Sequence, residues 1–498
     1  IVKGDEKLSD TAATSKVIDP GMFGNDSVNS SDTSKNSSSS SSSTNIDDMR
    51  FLKPIQKPIA GKDAQHAPRF RRESEMYPAI ASLFRLVERL ICKFAILQDS
   101  TQKTSPSQSV KVYEKADVGP KDSDNYLHID LGLFISDMWK HPAFNDRAMK
   151  HNKGPEIGAA DPKYADIFAI VKAKISEDDQ VDAYKQLLLY TYSIYWHQHD
   201  CRFAWGLTVC DTAIRACVFG NDGFLASDKM DLSEADGRSA FIGLLVNMAY
   251  CGREQLGFDP TIRYNSVRSM WEIDVFNDSD STKTTCEIVS VMQAAERIFG
   301  RHTRCFRCKL PDDENGTEKN NDSDSDSDSN GLGHFIVKDA WAYAEGDPDS
   351  PGFRDEVSVL RSINEQLGAD ASFEGTIPKL HWGGVVRITG QDGVALEDKA
   401  DPLFQILSNE DSANHRRVHK RLAMGPIGEP LRMVRSVDEL IVVVADAMEA
   451  HNAILERCGI LHRDISTNNI LINRSQGSVR GMLIDFDCAV RTDASDKT

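Results

Sequence analysis

The chain reads as an α+β protein in which a low-complexity tail precedes two folded units, the second of them bilobal. Three observations predict this. Strand-like runs alternate with amphipathic helical runs from about residue 74 onward. Apolar residues make up 40% of the 498, enough for more than one core. Composition changes sharply near residue 70 and again between residues 311 and 330.

Residues 1–70 are rich in Ser, Asn and Asp, with an unbroken serine run from Ser37 to Ser43. Such a stretch buries too little apolar surface to offset the entropy of ordering, so disorder is expected. A helix is expected over 74–98, because Ile80, Leu83, Phe84, Val87, Leu90, Ile91 and Phe94 recur at helical spacing.

The first unit spans 120–265. Asp166–Lys172 reads as a buried strand and Val181–His197 as a helix. Arg202–Val209 and Ala213–Phe219 read as two strands about a tight turn, and 233–255 as a helix with Phe241, Leu244, Leu245 and Met248 on one side. The second unit spans 285–498 and carries an insert at 311–330 ending in repeated Asp-Ser pairs. Acidic repeats repel themselves and stay solvated, so the insert reads as a loop.

A net charge of −18 and a pI near 5.2 argue against a general binder of nucleic acid or of anionic membranes. No apolar window is long enough to span a membrane, and no secretion signal begins the chain. Ten scattered cysteines read as reduced thiols, which places the protein inside the cell, in cytoplasm or nucleus.

The chemistry concentrates near the end. His462-Arg463-Asp464 is followed by Asn469, by the apolar run Ile470-Leu471-Ile472, and then by Leu483-Ile484-Asp485-Phe486-Asp487. This is the spacing of the H-R-D-x-x-x-x-N and D-F-x motifs of protein kinases. Phosphoryl transfer from ATP needs a carboxylate to accept a hydroxyl proton, which is the place of Asp464. It needs oxygen ligands for Mg²⁺, the places of Asn469 and Asp485. His462 and Arg463 complete the catalytic loop, with Arg463 expected to orient it or to meet a phosphorylated segment.

The upstream parts fall in register. Phe335-Ile-Val-Lys338 is a strand ending in the lysine expected at the α- and β-phosphates. Glu356 is expected to pair with Lys338 from the next helix, on the side opposite its apolar stripe, with Asp355 as its competitor. Phe299–Cys308 stands where a glycine-rich loop belongs, but only Gly300 remains of three glycines. His302 takes the second glycine position, where its side chain is expected to crowd the phosphates. Cys305 and Cys308 lack a second ligand pair at zinc spacing. Arg417–Ala423 reads as the strand into a hinge at Met424–Gly428, whose backbone would meet adenine. A long helix follows from Ser436, an N-cap with Glu439 three residues on.

At these residues the sequence resembles the fungal-type protein kinase family. Val337–Trp341, Gly459–Ser466 and Ile484–Asp487 are similar to that family's lysine strand, catalytic loop and metal motif. The resemblance extends upstream through Met76-Tyr77-Pro78 and Ala165–Gly223, covering roughly residue 75 to the end. It implies a protein kinase-like bilobal fold, the cofactors ATP and Mg²⁺, and a protein substrate phosphorylated on serine or threonine. Asp487 stands where most kinases have the glycine of D-F-G, and the family shares this departure.

The first unit also resembles a PD-(D/E)xK nuclease core, through Asp130, Lys172-Ala-Lys174, Gln186 and Tyr190. Such a core needs two carboxylates around its metal. Lys172 occupies one of those positions, so the resemblance implies a degenerate core serving as a structural or partner-binding module. The sequence begins at Ile1 and ends at Thr498, soon after Asp487. A C-lobe truncated there lacks the activation segment and later helices. An incomplete or inactive copy is therefore expected, with apolar surface exposed on the long helix. The alternatives are a pseudokinase scaffold and, less well matched because of Arg463, a small-molecule kinase.

Overall fold

The computed structural model describes residues 73–98, 110–113, 131–135, 167–221, 223–295, 297–311, 333–343, 355–389, 394–399, 417–474 and 477–492. The serine-rich tail, Asp130 and all but the first residue of the acidic insert lie outside this set. The described residues form a mixed α+β structure with two seven-stranded sheets and five α-helices.

The first sheet contains β1 (Val110–Tyr113), β2 (Leu131–Ile135), β3 (Ile167–Lys174), β4 (Ala204–Cys210), β5 (Ala213–Gly220) and β6 (Gly223–Ala226) in that order. The short β7 (Met230–Asp231) also pairs with β5. Only β3 and β4 run parallel. A parallel pair needs a crossover, and α2 (Gln180–His197) supplies it. β3 is buried along almost its whole length, as its near-continuous apolar sequence requires.

Helices cover both faces. The helical spacing read in α1 (Tyr77–Gln98) is real: Ile80, Leu83, Phe84 and Val87 enter a core with Phe241 and Leu245 of α3 (Ala235–Tyr250). Phe84 meets Phe241 edge-on at 5.5 Å between ring centroids. On the other face α2 sets Leu187, Tyr190, Ile194 and Tyr195 against Ile167, Ile170 and Phe219.

The second sheet is antiparallel throughout. It contains β8 (Ile262–Asn265), β9 (Met270–Asn277), β10 (Thr282–Gln293), β11 (Arg304–Lys309), β12 (Phe335–Tyr343), β13 (Lys379–Val385) and β16 (Arg417–Gly425). A separate hairpin joins β14 (Arg387–Thr389) to β15 (Ala395–Glu397). The spatial order is β13-β16-β12-β11-β10-β9-β8. The expected boundaries therefore shift: the first sheet starts at Val110 rather than 120, and the second takes in Ile262, well before 285. The reason is the meander β8-β9-β10, whose backbone pairing carries this stretch into the second sheet.

Below the sheet lie α5 (Val437–Cys458) and two small β-ribbons. Ser436 caps α5 by accepting the Glu439 amide at 3.1 Å. Gly459 ends it with φ of 63°, a left-handed turn that aims the chain into β18 (Ile460–Leu461). One ribbon pairs β18 with β21 (Val490–Arg491), and the other holds β17 (Glu429–Pro430), β19 (Ile470–Asn473) and β20 (Arg480–Leu483). One side of α5 is open: Val437, Ile441 and Met448 are 72%, 61% and 67% exposed. No helix among the described residues is long and apolar enough to cross a membrane.

A buried charge network joins the two sheets. Arg421 on β16 is fully buried and bonds Asp339 of β12 at 2.6 Å and Asp259 at 2.5 Å. It also donates to the Asp274 carbonyl at 3.0 Å. His419 bridges Asp339 (2.7 Å) and Asp398 (2.8 Å) and stacks on Trp341 at 4.5 Å. Arg202, just ahead of β4, grips Asp398 through two hydrogen bonds. Burial pulls the His419 pKa down, but the charge and hydrogen bond of Asp339 outweigh it and raise it to about 9. The carboxylates Asp259 and Asp339 and the His419 ring lie close enough to share a cation, and Arg421 already supplies that charge.

Two outcomes follow from this network. Arg421→Met strands two buried carboxylates and is expected to cost about 3–5 kcal/mol, read as a shift in the urea midpoint. The raised pKa of His419 means that its contribution is complete below its unfolded value near 6.5. That contribution is lost as pH rises through about 9. Thermal melts between those limits should fall more steeply for the wild type than for His419→Gln.

Candidate active site

Successive residues of a strand face opposite sides of the sheet. On β12 this sends Asp339 into the network above and Lys338 into the cleft between sheet and α5. The Lys338 ammonium is buried among three carboxylates: Glu356 (2.6 Å), Asp485 (2.6 Å) and Asp487 (3.0 Å). Arg301, in the β10–β11 connection, reaches the same Asp487 at 2.5 Å.

Glu356 opens α4 (Glu356–Leu367). Its position corrects one expectation. It lies on the apolar stripe with Leu360, Ile363 and Leu367, not opposite it, and is buried with them. The stripe faces inward, so the carboxylate at its first turn points into the cleft, where it also accepts the Phe486 amide at 3.1 Å. The competitor Asp355 is spent elsewhere, capping α4 through the Val357 amide and pairing with Lys420 at 3.0 Å.

The two ribbons hold the catalytic loop and the D-F-D segment side by side. Leu461 pairs with Val490, and Ile470 with Leu483, so residues 462–469 and 484–489 are fixed at both ends. His462 is buried between them. The Asp464 amide donates to its Nδ1 (3.3 Å), so its Nε2 carries the proton and donates to the Ile484 carbonyl at 2.9 Å. Burial lowers its pKa and keeps the ring neutral. Its place is structural: it ties the two loops and packs on Phe486 at 4.8 Å.

Asp464 is exposed at the cleft surface, and Asn469 is buried beneath it. The Asn469 side-chain amide donates to the Asp464 carbonyl at 2.8 Å and to its carboxylate at 3.1 Å. Asp485 adopts a left-handed backbone, φ 65°, which turns its carboxylate back toward Lys338. Arg463 shares that conformation, φ 67°, is exposed, and meets no carboxylate among the described residues. Met424 sits near the end of β16, between Ile336 and Leu380, with its side chain on the lower core.

The glycine-poor loop departs most from expectation. Gly300 has φ of 119°, which suits glycine, but its amide donates to the Asn221 carbonyl of the first unit at 2.7 Å. It does not face the cleft as a phosphate loop amide would. His302 does not crowd the cleft either. It is buried against Tyr195 of α2 at 4.5 Å, bonded to the Ile298 carbonyl, and burial drops its pKa to about 3. Cys305 and Cys308 are not a metal pair: Cys308 lies in the sheet core, while Cys305 contacts Gln293.

Three carboxylates face two cations here. Burial and the neighbouring Asp487 charge push the Glu356 carboxyl well above its usual range, against the pull of Lys338. Burial also disfavours charge on Asp487, but Lys338 and Arg301 hold its carboxyl well below the usual range. Oxygens of Glu356, Asp485 and Asp487 lie within 4.8 Å of one another, a hard-oxygen set suited to a divalent cation. The motif spacing brought Lys338, Asp464, Asn469 and Asp485 to notice. Arg301 gave no such signal, since it belongs to no recognised spacing, and the D-F-D motif does not disclose which cations Asp487 meets.

Lys338→Met leaves this acidic cluster without its buried cation. We expect a loss of about 3–5 kcal/mol, read by urea denaturation, with the fold otherwise retained.

Comparison of the whole chain with curated protein sequences finds no match. A family model described as "Fungal protein kinase" matches residues 146–367 and 386–498, more than half of the chain, running from within the first unit through the catalytic loop and the D-F-D segment. The chain therefore belongs to the fungal protein kinase family.

Proposed function

We propose that this chain is an ATP- and Mg²⁺-dependent protein kinase that transfers the γ-phosphate to a serine or threonine hydroxyl of a protein inside the cell. The observation that carries this reading is the meeting, in one cleft, of Lys338–Glu356 with Asp485 and of Asp464 with Asn469. These pairs come from separate elements of both halves of the second unit.

The roles follow from chemistry. Lys338 supplies positive charge to phosphate oxygens, and Glu356 holds it in place. Asp485, Asp487 and the carbonyl oxygen of Asn469 would hold Mg²⁺, which when bound neutralises phosphate charge. Asp464 accepts the proton of the attacking hydroxyl, and its exposure at the cleft surface gives a protein substrate access. The Asn469 amide fixes the carboxylate rotamer of Asp464. The backbone from Met424 to Gly428 is the adenine edge.

A second reading, a pseudokinase scaffold, draws on two observations. The metal-binding acids are already ion-paired, and the Gly300 amide is used by the first unit. The C-lobe bears on both readings, since the open stripe Val437–Ile441–Met448 is apolar surface of the kind that further helices cover. For the first unit we favour a structural or partner-binding role. Lys172 stands where a nuclease core needs a carboxylate, and it is buried with Glu73 at 3.6 Å.

Thermal melting separates the readings. A kinase is stabilised by ATP with Mg²⁺ and much less by ATP alone, and Asp485→Asn removes the metal-dependent part. Asp464→Ala should keep the nucleotide shift while abolishing phosphate transfer to a protein acceptor. A wild-type chain indifferent to ATP would favour the scaffold.

A further inference from the structure

The loop between β10 and β11 has two sides. Its inner side belongs to the first unit: Ala295 and Ile298 join the core beneath α2, His302 packs on Tyr195, and the Gly300 amide bonds Asn221. Its outer side presents Arg301 to the cleft. The Arg301 carbonyl accepts the Trp341 amide at 2.8 Å, so the backbone beneath the guanidinium is tied to β12. Arg301 is thus held on both flanks while its guanidinium remains 41% exposed at the metal-binding acids.

We propose that Arg301 is the group that grips the terminal phosphates of the nucleotide, in place of the backbone amides of a glycine-rich loop. This rests on the kinase reading above. A guanidinium carries five donors in a planar fork that matches phosphate oxygens, and its charge persists at every working pH. Burial disfavours charge on Arg301, yet the acids Asp487 and Asp485 reinforce it. One Asp487 oxygen is shared by Arg301 and Lys338; a metal ion held by Asp487 would compete for that oxygen and leave the Arg301 guanidinium available to phosphate. The first unit is the rigid support that keeps it there.

The test is calorimetric binding of Mg·ATP and of adenosine to the full chain, as wild type, Arg301→Gln and Arg301→Lys. Arg301→Gln should weaken Mg·ATP by about tenfold or more, the worth of a charge-assisted hydrogen bond, and leave adenosine binding unchanged. Arg301→Lys should recover part of the loss. Unaltered Mg·ATP affinity in Arg301→Gln overturns the inference. Tighter binding also overturns it, and would mark Arg301 as a plug on the metal site. A wild type that binds neither probe overturns the kinase reading itself. Equal unliganded melting of the wild type and Arg301→Gln guards against loss of fold.

Discussion

Arg421 is the residue on which the arrangement of the two sheets depends. A guanidinium with no exposure is tolerable only if every donor and the charge itself are met. Asp339, Asp259, Thr261 and the Asp274 carbonyl meet them, and these groups come from β12 and β9 of the second sheet and from the segment that leaves the first unit. Swinging one sheet away from the other would strip Arg421 of a buried anion. The network therefore couples the position of the first unit to that of the second sheet.

Strand alternation converts this joint into a functional constraint. Lys338 and Asp339 are neighbours in sequence and serve opposite faces of β12. The joint that fixes Asp339 also fixes the height and tilt of Lys338. On β16 the same alternation sends His419 and Arg421 to the joint and Lys420 to Asp355 at the cap of α4. The helix that carries Glu356 is thereby registered against the strand that carries Lys338. The ion pair between them at 2.6 Å is a consequence of two strands whose other faces are locked.

The parts legible in the sequence were those whose geometry is local. The catalytic loop and the D-F-D segment are set by short ribbons, so residue spacing alone anticipates how Asp464, Asn469 and Asp485 converge. The apolar stripe of α1 and the Ser436 cap are local in the same sense. The joint was not legible, because Arg421 and Asp259 stand 162 positions apart and His419 and Asp339 stand 80 apart. Charged residues within an apolar strand were the available hint. The Gly300–His302 stretch misled for a related reason: read along the chain it is a poor phosphate loop, and only the packed first unit shows that its inner side has another partner. The side of Glu356 was legible too, since it stands four, seven and eleven residues before Leu360, Ile363 and Leu367, the spacing of one helix face; an acidic residue on an apolar face reads as an outward one until Lys338 is seen to meet it.

Two departures from the usual kinase pattern now look like one. An aspartate in place of the last glycine of D-F-G adds a carboxylate beside Glu356 and Asp485, and three acids, one buried and two partly buried, around one lysine would be a costly excess of negative charge. An arginine beside the lone glycine of the preceding loop adds the compensating cation, and the two meet at 2.5 Å. Either change alone unbalances the cleft: the aspartate repels its neighbours, or the arginine competes with Lys338 for them. Together they keep the charge of the site close to that of a cleft with neither. The loss of loop glycines is then no measure of decay, because a side chain can hold what a backbone amide otherwise would, provided the loop behind it is rigid. The first unit, packed through Tyr195 and Phe219 against Ile298 and His302 of that loop, supplies the support.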